Sequence, residues 1–289
     1  MITEYANGNA LIEENRDFLN TNPDLAVFFF LDAPHLTEAD RVNYAIRVTE
    51  GEDILLALKV EPYPFLLFGS DVLTGALAAH LMDNGYEIKA ILGGETACDR
   101  FTEVLRERYG RPYTEALAMD FMRAYKKTEP SSQAVEIPTV ADLDELVECQ
   151  ENFINDCGTT GTVSREKIAE MLDRFRILRQ DGRIVSMARC MPHSDAAMRI
   201  GFVYTRPEYR GHGLARQVVN TLKNEILDKG LTPTLNVDKK NPVSNHLYTS
   251  LGFERAFSQG EYHPMEATSI VRAGKADAPA LEKETGSSV

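Results

Sequence analysis

The segment EYRGHGLARQ (Glu208–Gln217) places two glycines, separated by His212, between a predicted strand and a predicted helix. A glycine loop that enters a helix can turn several backbone N–H groups toward one point, where the helix N-terminus adds partial positive charge. Arg210 adds a cation beside the loop. The segment therefore predicts either an anion site or a turn that only needs positive φ at Gly211 and Gly213.

Two known phosphate motifs do not fit this loop. A P-loop needs a lysine followed by Ser or Thr after its glycines, but Gly213 is followed by Leu214 and Ala215. A dinucleotide fingerprint needs a third glycine where Arg216 stands. Neither an NTP nor a dinucleotide site is predicted.

The elements around the loop predict a mixed α/β domain. Two helices are followed by strand-like runs that are joined by Asp181-Gly182, a strong hairpin signal. Apolar residues at helical spacing from Ala215 to Ile226 predict an amphipathic helix after the loop. A short strand follows, and then a helix capped by Asn241 with Pro242 at its first position.

The first part of the chain repeats this order of elements. A long helix from Asn9 to about Leu31, with LAVFFFL as core, leads into three strands, a helix from Val72 to Asp83, the strand EIKAIL and a helix from Thr96. RPYTEALAMDFMRAY closes the first half. We predict α/β fold class with two tandem domains, each a mixed, mostly antiparallel sheet flanked by helices. The predicted limits are 1–130 and 134–270, with TEPSSQ (Thr128–Gln133) as linker and 274–289 as a disordered tail.

Composition excludes several function classes. The net charge of −13, with its excess of acid mainly in residues 1–130, argues against nucleic-acid binding. No run of apolar residues is long enough to cross a membrane, and no secretory signal begins the chain, so a cytoplasmic protein is expected. The four cysteines lie far apart, which predicts buried thiols and no metal site.

The loop and its flanks resemble the GNAT N-acetyltransferase superfamily. The segments FVYTRPEYRGHGLARQVV and NPVSNHLYTSLGF carry this resemblance over about residues 134–270. Arg210, Gly213 and Ala215 match the R/Q-x-x-G-x-G/A signature, and Gly211 is also typical. The resemblance is greatest to the C-terminal catalytic domain of tandem GNAT proteins, whose first copy is degenerate.

The resemblance implies acetyl-CoA, or another acyl-CoA, as co-substrate, without a metal. Backbone amides of Gly211, His212, Gly213, Leu214 and Ala215 would take the pyrophosphate. Val203, Tyr204 and Thr205 would pair with the pantetheine amides, Asn241 would contact the pantetheine arm, and Arg216 would reach a CoA phosphate.

Tyr248 occupies the position of a tyrosine that protonates the departing CoA thiolate in many members. An alternative is a core ring on an amphipathic helix. The general base is not predicted, because the strand AAMRIGFVYT has no acid; Glu151, His193 and His263 are expected to be surface or loop residues, and His212 to face solvent.

The corresponding loop of the first half, PFLLFGSDVLTG (Pro64–Gly75), has no arginine. Ser70 and Asp71 at the start of its helix are expected to cap the N–H groups, and Asp71 would repel a pyrophosphate. We therefore predict one cofactor site per chain.

The expected function is acyl transfer from acyl-CoA to an amine of a small molecule or a peptide, by direct attack in a ternary complex. A non-catalytic acyl-CoA-binding protein is the alternative, and aminoacyl transfer from charged tRNA is a remote third, opposed by the acidic balance. The sequence is also compatible with a homodimer.

Overall fold

A computed structural model describes residues 1–129, 135–157, 162–194 and 196–265. Backbone contacts divide these residues into two compact units. The first unit is Met1–Ala118 together with the end of the last strand from Gln259, and the second is Met119–Ser258. The predicted linker lies partly, and the predicted tail wholly, outside the described residues.

The first unit contains the strands and helices of the N-terminal part in the order β1, α1, α2, β2, β3, β4, α3, β5, α4. Their bounds are β1 Ile2–Tyr5, α1 Gly8–Leu19, α2 Val27–Asp32, β2 Tyr44–Glu50, β3 Asp53–Lys59, β4 Phe65–Gly69, α3 Thr74–Asp83, β5 Ile91–Gly94 and α4 Glu95–Tyr109.

The second unit contains most of the remaining elements. Their bounds are β6 Tyr113–Ala124, α5 Leu143–Asp156, α6 Arg165–Ala169, β7 Phe175–Gln180, β8 Arg183–Ser194, β9 Ala197–Thr205, α7 Leu214–Asp228, β10 Thr232–Asp238, α8 Pro242–Ser250 and β11 Phe253–Pro264. The unit boundaries fall within β6 and within β11.

Each unit is a mixed sheet flanked by helices, which confirms the predicted fold class. In the first unit the strand order is β1-β2-β3-β4-β5-β11, and only the β4–β5 pair is parallel. In the second unit the order is β7-β8-β9-β10-β6, and only the β9–β10 pair is parallel. Both sheets are therefore mostly antiparallel, with one parallel pair formed around a crossover helix.

The two closing strands differ from the sequence prediction. β6, which we predicted to close the first half, pairs through Met119–Arg123 with Asp238–Thr234 of β10 in the second unit. The end of β11 instead pairs with β5, at Gln259–Tyr262 and Gly94–Ile91. Pairing of strands distant in sequence cannot be read from the order of elements. The division into domains at 1–130 and 134–270 remains a prediction.

The long N-terminal helix was predicted wrongly. α1 ends at Leu19 and α2 begins only at Val27. Pro23 lies between them, and a proline has no N–H for the helix and disfavours helical backbone in the residue before it. Of the predicted core in LAVFFFL, Phe29 is buried, whereas Leu31 is 58% exposed. The short strand β1 was not predicted.

Local signals in the second unit are confirmed. Asp181 and Gly182 have φ of 50° and 79°, as a two-residue hairpin turn requires. Ser164 and Asn241 cap α6 and α8, and each side chain accepts a hydrogen bond from a backbone N–H of the first turn. The apolar face of α7, from Leu214 to Ile226, packs on the sheet with residues of β8 and β10.

One buried cation lies on the inner side of α7. Lys223 is fully buried, and its ammonium donates to Thr128 Oγ1 at 2.9 Å and to the Leu251 carbonyl at 2.7 Å. Burial, together with repulsion by Arg216, lowers the pKa of Lys223 from 10.5 to about 8. Between about pH 8 and pH 10.5, Lys223 therefore binds fewer protons in the folded protein than in the unfolded chain.

We predict that this lysine makes stability rise with pH. Relative to Lys223→Met, the wild-type free energy of unfolding should increase by about 2 kcal/mol between about pH 7.5 and pH 9.5. Urea denaturation at both pH values measures it, with Lys229→Met, exposed at the end of the same helix, as the control. An equal pH dependence in wild type and Lys223→Met would contradict the prediction.

Candidate functional site

The parallel strands β9 and β10 separate partway along their length. They pair only through Ala197–Arg199 and Thr232–Thr234. Beyond this point β10 continues against β6, and β9 continues against β8. Among the described residues no strand pairs with the β10-facing edge of β9 from Gly201 to Thr205. The backbone groups along this edge are therefore available to another extended chain.

A bulge in β9 lies at the point of separation. The register between β8 and β9 shifts between Met187 and Arg189, opposite Gly201–Tyr204. Phe202 has φ of 52°, which is rare for a bulky residue and costs about 1–3 kcal/mol. A bulge bends its strand and redirects side chains. The bend therefore coincides with the opening of the sheet, and the sequence does not signal it.

The glycine loop follows β9 directly. A turn at Pro207–Tyr209 leads to Gly211 and Gly213, whose φ values are 81° and 73°. A Cβ at either glycine would meet nothing within 4 Å, so backbone conformation and not crowding selects glycine. The buried Leu214 fixes the first residue of α7 in the core. No side chain among the described residues caps this helix, so its first N–H groups are available to a ligand.

The loop side chains support the turn. Arg210 donates from Nε to the Thr205 carbonyl at 2.9 Å and from Nη2 to Asp156 Oδ2 at 2.5 Å. Its guanidinium therefore connects the loop to the end of α5. His212 is exposed, as expected, with Nδ1 2.9 Å from the Arg210 carbonyl oxygen.

Two further predicted cofactor contacts already have partners within the chain. Arg216 is exposed and donates to Ser250 Oγ at 2.5 Å. The side-chain oxygen of Asn241 accepts from the Ser244 N–H at 3.0 Å as the cap of α8. Contact of either side chain with a cofactor remains a prediction. The predicted strand contacts are better placed to bind a cofactor, because Val203, Tyr204 and Thr205 lie along the unpaired edge of β9.

Tyr248 is a buried phenol on α8. Its side chain is 7% exposed and packs edge-to-face on Phe253, with ring centroids 6.1 Å apart. Burial raises the pKa of Tyr248 to about 12, and the nearby Cys157 adds to the increase. The hydroxyl remains protonated at neutral pH and can only act as a proton donor. The ring is also part of the core, so the two interpretations of Tyr248 are compatible.

The candidate bases have different surroundings. Glu151 is exposed on α5. His193 Nδ1 lies 2.8 Å from Arg199 Nη2, and the histidine ring lies against Phe121. His263 belongs to the first unit and pairs with Glu261 at 2.7 Å. The described residues contain no cluster of three potential metal ligands.

Arg206 fixes the end of β9. Its guanidinium is buried and donates from Nη1 and Nη2 to Glu148 at 2.6 and 2.9 Å, and from Nε to the Ile184 carbonyl at 2.7 Å. The hydrogen bonds from Arg206 lower the pKa of Glu148. Sequence reasoning missed this residue, because a strand-end arginine before a proline carries no signal of burial.

The corresponding end of the first unit is different. β4 continues past its last parallel pair with β5, at Leu67 and Gly93, only by Phe68 and Gly69. Contrary to our expectation, Ser70 makes no capping hydrogen bond there. A cleft of about 550 Å³ at this end is lined by four carboxylates, of Asp71, Glu95, Asp99 and Glu103, and by two arginines, Arg100 and Arg106. The acids outnumber the cations, so the net charge of the lining would oppose a pyrophosphate.

Comparisons with known proteins find a similar family for part of the chain and similar folds for most of it. Residues 178–262 match the FR47-like protein family. This segment contains β8, β9, the glycine loop, α7, β10 and α8. No curated protein sequence matches the chain. Among the described residues no helix is long and apolar enough to cross a membrane.

Solved structures share the fold. An acetyltransferase of the GNAT family from Colwellia psychrerythraea is 11% identical, covering 92% of this chain and 100% of that chain with a TM-score of 0.57. A GCN5-related N-acetyltransferase from Sphaerobacter thermophilus is 14% identical, covering 75% and 79% of the two chains with a TM-score of 0.52. At these identities the likeness shows a common fold.

We predict that Arg206 contributes strongly to stability. Arg206→Gln should lower the free energy of unfolding by about 2–3 kcal/mol, because it removes the charge-assisted hydrogen bonds from a buried guanidinium to the half-exposed Glu148, and also the hydrogen bond to the Ile184 carbonyl. Arg183→Gln is the control, since Arg183 also faces Glu148 but is 48% exposed, at 3.9 Å. It should change stability by less than about 1 kcal/mol. Equal urea midpoints for the two variants would contradict this role.

Proposed function

We propose that this chain, which has the fold of the GNAT superfamily and an FR47-like segment at residues 178–262, transfers an acyl group from acyl-CoA to an amine. The observation that carries the proposal is the unpaired edge of β9, which leads directly into an uncapped helix with two positive-φ glycines. An extended, amide-containing arm that ends in a pyrophosphate complements these two features in the same order.

Backbone groups would do most of the binding. The N–H groups from Gly211 to Ala215 would donate to the pyrophosphate, which the dipole of α7 also favours. The backbone of Val203, Tyr204 and Thr205 would pair with the pantetheine amides as an added strand. Arg210 would act through the loop, because Asp156 and the Thr205 carbonyl hold its guanidinium.

The reaction needs two proton movements. The bound acyl-CoA supplies an electrophilic thioester carbon, which the neutral amine nitrogen attacks in a ternary complex; the C–N bond forms and the C–S bond breaks. Tyr248 would donate its phenolic proton as the thiolate departs. The attacking nitrogen would lose its proton to water, and solvent would return a proton to the Tyr248 phenolate, so that the products are the amide and the free thiol of CoA.

The second candidate is a non-catalytic acyl-CoA-binding protein. It is favoured by the absence of any acidic residue in β9, Ala197–Thr205, where a base would stand. Release of free thiol over a panel of amines separates the two functions, because a pure binder releases none. An acetyl donor, a small-molecule or peptide acceptor, a cytoplasmic location and a non-catalytic first unit all belong to the proposal.

We predict that CoA and acetyl-CoA bind at the start of α7. Calorimetry on the full chain should show binding that Gly213→Glu weakens at least about 100-fold, because the new side chain strains the positive φ and places negative charge at the phosphate position. Gly230→Glu is the matched control, with φ of 73° and open space at the other end of α7. Wild-type protein that fails to bind at about 1 mM, or equal loss in both variants, would refute the site.

We predict that Tyr248→Phe lowers kcat by about 100-fold, the usual contribution of a general acid. Its affinity for CoA should not change, because the hydroxyl acts only in the reaction. With a pKa of about 12, Tyr248 should produce no alkaline fall in activity below about pH 11. Single-turnover rates with an amine substrate measure this effect, and an unchanged kcat would exclude Tyr248 as the acid.

A further inference from the structure

Arg189 is a half-buried cation that has no carboxylate partner in the part of the chain that the structure describes. It lies on β8 beside the bulge of β9, with its guanidinium carbon 3.8 Å from the ring centroid of Phe202 and 5.9 Å from that of Phe175. Its only hydrogen bond among the described residues runs from Nη1 to Met171 Sδ at 3.2 Å. Its Nε is fully buried and has no acceptor.

This situation is unusual in a chain with a net charge of −13. Three other buried or half-buried arginines of the second unit pair with acids: Arg176 with Glu225, Arg179 with Asp142 and Arg206 with Glu148. A guanidinium removed from water costs free energy unless an anion or several acceptors compensate it. The aromatic rings and one thioether replace only part of that hydration.

A second cation increases the positive charge at this place. Arg174 is half-buried just before β7 and forms no ion pair among the described residues, although the exposed Asp173 is its neighbour in sequence. Burial, and then the charge of Arg174, lower the pKa of Arg189. Arg174 directly precedes Phe175, which is the strand partner of Arg189 in the β7–β8 pair, so the two arginines are neighbours. Two neighbouring cations favour binding of an anion, and guanidinium groups bind carboxylates well.

The position relates this cation pair to the proposed acyl-transfer site. Phe202, on which Arg189 stacks, immediately precedes Val203 on the unpaired edge of β9. Phe153 of α5 also contacts Phe202, with ring centroids 5.2 Å apart. The Arg189 guanidinium is therefore bordered by apolar rings next to the place where the acyl arm would lie.

We propose that Arg189 and Arg174 bind the carboxylate of the acceptor, so that the acceptor is an amine that also carries a carboxylate and an apolar body. The identification of the bound molecule as the acceptor rests on the proposed acyl transfer, but binding of a carboxylate can be measured without turnover. Arg189 would position the acceptor by charge, while Phe202 and Phe153 contact its apolar part.

The experiment uses the N-acetyl derivatives of glycine, leucine and phenylalanine, each with its uncharged amide as the matched partner. Calorimetry on the full chain, with and without saturating CoA, measures both members of each pair. In at least one pair the carboxylate should bind about 10- to 100-fold more tightly than the amide, the value expected of charge-assisted hydrogen bonds. Arg189→Gln should abolish this preference.

Controls separate this proposal from folding and from acyl transfer. Arg165→Gln removes the same charge from an exposed arginine on α6 and should keep the preference. If Arg189→Gln does not fold by thermal melting, Arg174→Gln replaces it and should reduce the preference. Equal binding of carboxylate and amide by the wild type, no binding of any carboxylate at about 10 mM, or a preference that survives the variant overturns the inference. Loss of CoA binding with an intact carboxylate preference would refute only the acyl-transfer proposal.

Discussion

Parallel pairing between β9 and β10 stops before either strand ends, and this separation forms the open edge of the candidate site. Backbone N–H and C=O groups inside a protein must be paired, and pairing between these strands stops at Arg199 and Thr234. Among the described residues no strand pairs with the edge that follows. A strained residue, Phe202, lies at the same place. Local strain at an open edge is typical of positions where a ligand completes the structure.

The open edge requires a rigid frame, which α5 provides by two charged contacts. Glu148 of α5 holds Arg206 at the end of β9, and Asp156 at the end of α5 holds Arg210 in the loop. Both arginines also donate to backbone carbonyls, so each pair fixes backbone as well as side chains. The glycine loop is therefore anchored before any ligand arrives, which reduces the entropy that binding must overcome.

The two units have the same pattern of strand pairing but differ at the end of the parallel pair. Both contain one parallel pair among antiparallel strands, with a helix between the parallel partners. The first unit has only Phe68 and Gly69 beyond that pair, and carboxylates line the adjacent cleft. In the second unit β9 extends to Thr205 and ends in glycines. The difference lies in the length of one strand and in the charge at one helix start.

The sequence predicted the local elements of the second unit, because a hairpin turn at Asp181-Gly182, caps at Ser164 and Asn241, and the apolar face of α7 depend on neighbouring residues. It also predicted the glycine loop, since positive φ at Gly211 and Gly213 is a local property. The tertiary structure was needed to show that β6 pairs with β10, that β9 bulges at Phe202, and that Arg206 is paired while Arg189 has no acidic partner among the described residues. These features depend on strands distant in sequence and on the burial of single charges, and no local pattern encodes either.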